Sequence, residues 1–295
     1  MRPSLLDLAV ERTVLLDGAL GTELMARGLP LGTPPEAWNL ERPDDVREVH
    51  ASYFEAGSDV ATTNSFGANR IKLAAHGLEG RTAELNSAAS RLARGAARPG
   101  KFVAGSIGPT GKFLRPQGPF GEEQFEAAFA EQALALAEGG ADVLLVETQY
   151  DLREALCALR AGRRATGLPV LVTMTFNSHR RGFFTIMGDS VPKVMKALEG
   201  NGAAAVGANC TLDSEGMASL VRAMRPETGL PLIAQANAGQ PAVGACGVTY
   251  SQPLEEYVRF VPEIVRAGAG LVGGCCGTTP AFIKAMAAAL GRRTG

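Results

Sequence analysis

Short apolar runs alternate with longer amphipathic stretches from one end of this chain to the other. The runs Val14–Asp17, Asp59–Thr63, Phe102–Ser106, Asp142–Glu147, Val170–Thr175, Ala204–Asn209, Leu232–Gln235 and Leu271–Gly274 predict strands. They are nearly continuous in apolar residues and do not alternate with polar ones, so both faces of each strand are expected to be buried, as in a parallel sheet. The stretches between them repeat with helical period: Asp44–Ala56, Thr82–Ala97, Glu122–Glu138, Leu152–Thr166, Val191–Leu198, Ser214–Met224, Leu254–Ala267 and Ala281–Leu290. Eight strand–helix units predict an α/β protein closed as a (β/α)8 TIM barrel, one domain over residues 1–295. An open doubly wound sheet is the competing arrangement. No Gly-x-Gly-x-x-Gly follows the first strand, which counts against a dinucleotide-binding version.

Local chemistry marks several helix starts. Asp151 with Glu154 reads as an N-cap with its return contact. Thr279 before Pro280 places a cap residue ahead of a proline whose missing N–H costs nothing at the first helical position. Ser251 or Gln252 before Pro253 reads the same way. The longest irregular stretches, Gly28–Glu41 and Gly108–Gly121, follow early strands and are candidates to cover a site.

Composition narrows the function classes. The chain has 295 residues and a net charge of −1, with 46% hydrophobic and 20% charged residues. Nothing in that balance attracts nucleic acid or an anionic membrane in bulk. No apolar run approaches the roughly 20 residues of a spanning helix, and the N-terminus, with Asp7 and Glu11, does not read as a signal peptide. Five cysteines without secretory marks point to free thiols in a reducing compartment, so a cytoplasmic location is expected.

Three of those cysteines sit at strand ends. Cys210 closes G-A-N-C after the sixth strand, and Cys275 and Cys276 are adjacent in G-G-C-C-G-T-T-P after the eighth. In a barrel these ends share one face, where active sites are built. Neighbouring residues of a regular strand point to opposite faces. Cys275 and Cys276 can therefore share one metal only if the strand stops there, and Gly273, Gly274 and Gly277 permit that. Three thiolates make a tetrahedral zinc site with its fourth position open. Buried cysteine is more often a small hydrophobe, and Cys157, inside a predicted helix, and Cys246, in a loop, fit that description. A zinc ion carrying three thiolates is a poor activator of water and a good seat for one more sulfur. A thiol bound there would lose its proton near neutral pH, although a free thiol has a pKa of about 8.5.

The motifs resemble those of the homocysteine-binding methyltransferases over essentially the whole chain. They are L-L-D-G-A-L-G-T-E-L (Leu15–Leu24), T-N-S-F-G-A-N-R-I-K-L (Thr63–Leu73), S-I-G-P-T-G (Ser106–Gly111), V-E-T (Val146–Thr148), G-A-N-C, A-N-A-G-Q-P and G-G-C-C-G-T-T-P. The resemblance implies the same barrel fold and zinc held by Cys210, Cys275 and Cys276, with the homocysteine thiolate as fourth ligand. It implies that Asp17, Gly18 and Ala19 form the loop holding the amino-acid end of homocysteine, and that Glu147 accepts from its ammonium group. Asn237 matches an asparagine close to the zinc, although Ala236 stands where the family more often has proline. Thr63 and Asn64 are weaker candidates, and His50, His76 and His179 lack ligand spacing.

Within the family, G-P-T-G, H-G-L-E (His76–Glu79), M-T-F (Met174–Phe176) and the glycine after the cysteine pair resemble the homocysteine module of cobalamin-dependent methionine synthase. That resemblance implies methylcobalamin as methyl donor, carried by a separate corrinoid-binding domain or protein. The expectation is an excised module or a subunit of such an enzyme. The alternative is a stand-alone transferase using S-methylmethionine or another sulfonium or betaine donor.

Overall fold

A computed structural model describes residues 4–244 and 247–292. Its centre is an eight-stranded, all-parallel sheet. The strands are β1 (Val14–Leu15), β2 (Val60–Thr62), β3 (Phe102–Ile107), β4 (Val143–Gln149), β5 (Val170–Met174), β6 (Ala205–Asn209), β7 (Leu232–Ala236) and β8 (Ala269–Gly274). Each pairs with the next from β2 to β8, and β8 pairs back to β1 with Val14 opposite Leu271. Between β1 and β2 the regular ladder lapses, and side chains close the seam. Asp59 gives its backbone N–H to the Leu15 carbonyl and takes the Leu15 N–H on its carboxylate at 2.9 Å. Toward the other end, the Asp17 carboxylate takes the Thr62 N–H at 2.7 Å and the Thr62 hydroxyl at 2.8 Å. The result is the TIM barrel expected from the pattern, and all eight predicted strands are present.

Apolar continuity in the strands serves two different cores. Leu16, Val60, Ala104, Leu145, Leu171, Ala205, Ile233 and Leu271 point inward and fill the barrel. Leu15, Leu144, Val146, Val172, Val206 and Val272 point outward against the helices. A helix that the strand–helix pattern did not predict, Leu5–Glu11, is capped by Ser4 and adds buried Leu5 to the barrel's interior cluster.

Several local expectations need correction. The stretch Leu254–Ala267 is two short helices, Leu254–Arg259 and Val261–Arg266, parted at Phe260, because Pro262 cannot donate into a continuous helix. Pro253 is itself the cap residue there, one place later than expected. Thr279 and Pro280 hold the expected places, but the Thr279 side chain makes no capping bond. Asp151 caps its helix by accepting from the Arg153 N–H. Glu154 does not return to it and takes the Thr110 N–H at 2.6 Å instead. Two hairpins went unpredicted, Asn177–His179 with Gly182–Phe184, and Pro241–Gly244 with Gly247–Tyr250. Cys157 is fully buried against the helix layer, as read, whereas Cys246 lies outside the described residues. No helix among the described residues is long and apolar enough to cross a membrane.

Candidate metal centre and active site

The barrel interior becomes polar at the C-terminal ends of the strands. Thr62, Ser106, Glu147 and Gln235 line a cavity there of about 680 Å³, together with Cys210, Cys275 and Cys276. Its outer walls come from the stretches after β1 and β2 and include Met25, Pro34, Pro35, Phe66, Lys72 and His76. Of the two irregular stretches expected to cover a site, Gly28–Glu41 contributes lining residues and Gly108–Gly121 does not.

Backbone geometry brings the three cysteines together. After β6 the chain turns through two consecutive left-handed residues, Cys210 (φ 63°) and Thr211 (φ 59°). For a β-branched threonine this conformation is strained, and such strain concentrates where a side chain must be aimed. The turn is held by Cys210 N–H donating to the Gln235 carbonyl at 3.1 Å and by the Thr211 hydroxyl donating to the Phe176 carbonyl at 2.8 Å. On the other side β8 ends at Gly274, and the strand stops as the shared-metal argument requires. Cys275 N–H donates to the Ala236 carbonyl at 2.8 Å, and the Thr278 hydroxyl donates to the Cys275 carbonyl at 2.7 Å. Gly277 (φ 81°) completes the turn, and a Cβ there would lie 2.2 Å from the Tyr250 ring.

The three sulfurs lie within 4.8 Å of one another, and Cys210 Sγ is 3.9 Å from Cys276 Sγ. Tetrahedral zinc with Zn–S bonds of about 2.3 Å needs its sulfurs roughly 3.8 Å apart. The donor set and spacing therefore fit zinc. Hydrogen bonds from the Cys275 and Cys276 thiols pull Cys210 down to about 3. The bond to Cys210 pushes the other two up, Cys276 to about 11. A dication among them would allow all three to ionise.

The remaining sequence candidates occupy distinct places. Glu147 lines the cavity and accepts from the Ser106 hydroxyl at 2.5 Å. Burial lifts its carboxyl to about 7, against the Ser106 bond and with a further upward push from the Cys210 charge. Gly18 and Ala19 form cavity wall. A Cβ on Gly18 would lie 2.7 Å from the Thr278 hydroxyl oxygen, and the Ala19 N–H is already engaged by the Thr278 carbonyl at 3.2 Å. Asp17 is fully buried at the seam on Thr62, and it is not among the lining residues. Asn237 sits behind the sulfurs: its side chain bonds Cys210 and lowers that thiol's pKa, while its Oδ1 has no partner in the protein. Thr63 and Asn64 line the cavity, but their side chains bond within the wall, Thr63 to Ser65 and Asn64 to the Pro35 carbonyl. His50 is buried away from the site, His179 is exposed on a hairpin, and His76 stands at the cavity's outer wall.

Sequence reasoning did not single out Asn209, yet it ties the two halves of the site together. Its Nδ2 lies 3.6 Å from Cys275 Sγ and 2.7 Å from the Thr148 hydroxyl oxygen. Its Oδ1 accepts from the Thr148 N–H and the Thr173 hydroxyl, both at 2.8 Å. Thr148 is the third left-handed non-glycine residue (φ 57°) and directly follows Glu147. Its place beside Cys210 in G-A-N-C was the available signal, but as the last residue of the predicted strand Ala204–Asn209 it carried no mark of a distant partner.

Comparison with known proteins agrees with this geometry. The family model for homocysteine S-methyltransferase matches residues 14–290. The methionine synthases of Mycobacterium tuberculosis and Mycobacterium leprae are each 33% identical to it, over 97% and 98% of this chain. The chain spans about a quarter of the length of these relatives, 25% in both cases. The metallated form of the homocysteine methyltransferase MmuM from Escherichia coli superposes with a TM-score of 0.78 at 31% identity, covering 94% of this chain and 96% of that one. The chain belongs to the homocysteine S-methyltransferase family.

Proposed function

We propose that this barrel binds zinc through Cys210, Cys275 and Cys276 and methylates homocysteine on sulfur to give methionine. The observation that carries this reading is the cluster of three thiols within 4.8 Å on the wall of a cavity that also presents Glu147. When bound, zinc would supply a fourth position that holds the substrate sulfur as a thiolate near neutral pH. Glu147, steadied by Ser106, accepts from the substrate ammonium group. The stretch Asp17–Ala19 walls the amino-acid end, with Asp17 acting through the seam. Asn237 donates to Cys210 and holds that sulfur in place. The barrel's part in the reaction is orientation: it points the substrate sulfur at an incoming methyl carbon. The new S–CH3 bond forms as the donor–CH3 bond breaks, and the bonding pair leaves with the donor.

For the donor we infer a methylcobalamin carried by a separate corrinoid-binding domain or protein, with this chain, residues 1–295, as one homocysteine-binding barrel. Support comes from the likeness to methionine synthases over nearly the whole chain. A second reading has an observation of its own: the E. coli homocysteine methyltransferase is covered over 96% of its length, which suits a stand-alone transferase with a sulfonium or betaine donor. Either way the thiols must stay reduced, which suits the cytoplasm. The decisive assay supplies zinc-loaded protein with homocysteine and either methylcobalamin or S-methylmethionine and measures methionine. Turnover with methylcobalamin is expected; turnover with S-methylmethionine alone would overturn the donor assignment.

A further inference from the structure

Gln235 is 3% exposed and lines the cavity floor from β7. Its Nε2 donates to the Gly274 carbonyl at 3.3 Å, which fixes the orientation of the amide, because the opposite orientation would set two oxygens against each other. Its Oε1 is buried and has no hydrogen-bond partner in the protein. Leaving a buried acceptor unmet costs about 1–3 kcal/mol, so such an atom in a binding cavity marks a place for a ligand's donor.

The surroundings locate it. A Cβ on Gly273 would lie 3.3 Å from Gln235 Cγ and 3.0 Å from the Asp17 carbonyl oxygen. The Gln235 side chain therefore runs beside the Asp17–Ala19 stretch, on the side of the cavity assigned above to the amino-acid end. Homocysteine bound through its thiolate offers two acceptors, the sulfur and the carboxylate, and a single donor, the ammonium group. Among the groups of the bound substrate, only the ammonium can donate to Gln235 Oε1.

We propose that Gln235 is a specificity-determining residue whose carboxamide oxygen accepts from the substrate ammonium alongside Glu147, so that the site selects an α-amino thiol over the same thiol acid without the amine. The inference rests on the homocysteine reading and adds a contact that Glu147 alone does not supply. Its charge logic is distinct from that of Glu147: a neutral acceptor adds directionality without a second buried anion.

The test is calorimetric binding of homocysteine and of 4-mercaptobutyrate, its deaminated counterpart, to zinc-loaded protein. Gln235→Met should weaken homocysteine about tenfold, or roughly 1.4 kcal/mol, and leave 4-mercaptobutyrate within about twofold. Equal losses for both ligands, or no loss for homocysteine, would overturn the proposal. Should Gln235→Met not fold by circular dichroism, Gln235→Glu, which keeps an acceptor, must retain the preference for homocysteine; collapse of that preference would equally overturn it. Wild-type protein that binds zinc but not homocysteine would instead overturn the substrate reading itself, and this contact with it.

Discussion

Asp59 and Asp17 close the same seam of the barrel, each taking a backbone N–H from the opposite strand, yet their carboxyls are driven in opposite directions. Burial pushes Asp59 up, but bonds from Arg12, the Leu15 N–H and Arg292 outweigh it, and its pKa ends below the ordinary value. Arg12 holds it bidentately at 2.8 and 2.9 Å, and Arg292 reaches it at 2.6 Å. Asp17 has the two groups of Thr62 and its own backbone N–H, and no cation among the described residues. Burial wins there, the nearby Glu147 charge adds to it, and the carboxyl rises to about 7. The lower end of the barrel is charge-compensated and built for stability. The upper end leaves buried acids and acceptors without a cation beside them, and such unmatched groups mark functional ends of folds.

The largest break in this contrast belongs to the upper end. Cys276→Ala should leave zinc well below one per chain and cut methionine formation by about a thousandfold or more, because two thiolates hold the metal weakly. Metal analysis and initial rates check it, and full zinc occupancy in the variant would refute the ligand set. At the lower end Asp59→Ala strands two guanidinium groups and the Leu15 N–H, and should cost about 3–5 kcal/mol in denaturant unfolding. Homocysteine affinity of the folded fraction should not move. A loss smaller than about 1 kcal/mol would show the seam to be held by backbone bonds alone.

Glu147→Gln should lower kcat/KM for homocysteine about ten- to hundredfold, mainly through KM, since a charged acceptor becomes a neutral one. In the wild type kcat/KM should climb as pH rises through about 7, where Glu147 ionises, and the variant should flatten that climb. The smallest effect is expected at Asp17. Its folded pKa, about 7, lies above the unfolded value of 3.8. Its contribution to stability is therefore fully present below the unfolded value and lost as pH rises through about 7. Asp59 has the reverse sign: its contribution is present above the unfolded value and fades as pH falls through its lowered folded pKa. Asp17→Asn should accordingly gain roughly 1–2 kcal/mol over wild type near pH 8 and match it near pH 4. A uniform loss at both pH values would show that Asp17 acts through hydrogen bonding alone.

The strands were legible because apolar continuity over four to six residues has one economical meaning in a chain of alternating elements. The helices Glu122–Glu138, Leu152–Thr166 and Ser214–Met224 have the bounds their periodicity predicts. The hairpin Asn177–His179 with Gly182–Phe184 was not legible, since its strands are three residues each and half-exposed, too short for a period to register. Glu154 was misjudged because the capping pattern is local, whereas its partner Thr110 is 44 residues away.

The site divides along the same line. Cys210, Cys275 and Cys276 could be named from sequence because strand ends, adjacent cysteines and flanking glycines are properties of neighbouring residues. Whether Asp17 faces the cavity or the seam, that the Ala19 N–H is spent on Thr278, and that Asn209 joins Thr148 to Cys275 depend on contacts across the barrel. By itself the sequence determined the eight-unit barrel and the face on which Cys210, Cys275 and Cys276 meet, because hydrophobic period and local turn chemistry are encoded residue by residue. Only the tertiary structure decided which polar groups are satisfied by the protein and which, like Gln235 Oε1, are left without a protein partner, because satisfaction is a property of partners brought together from distant strands.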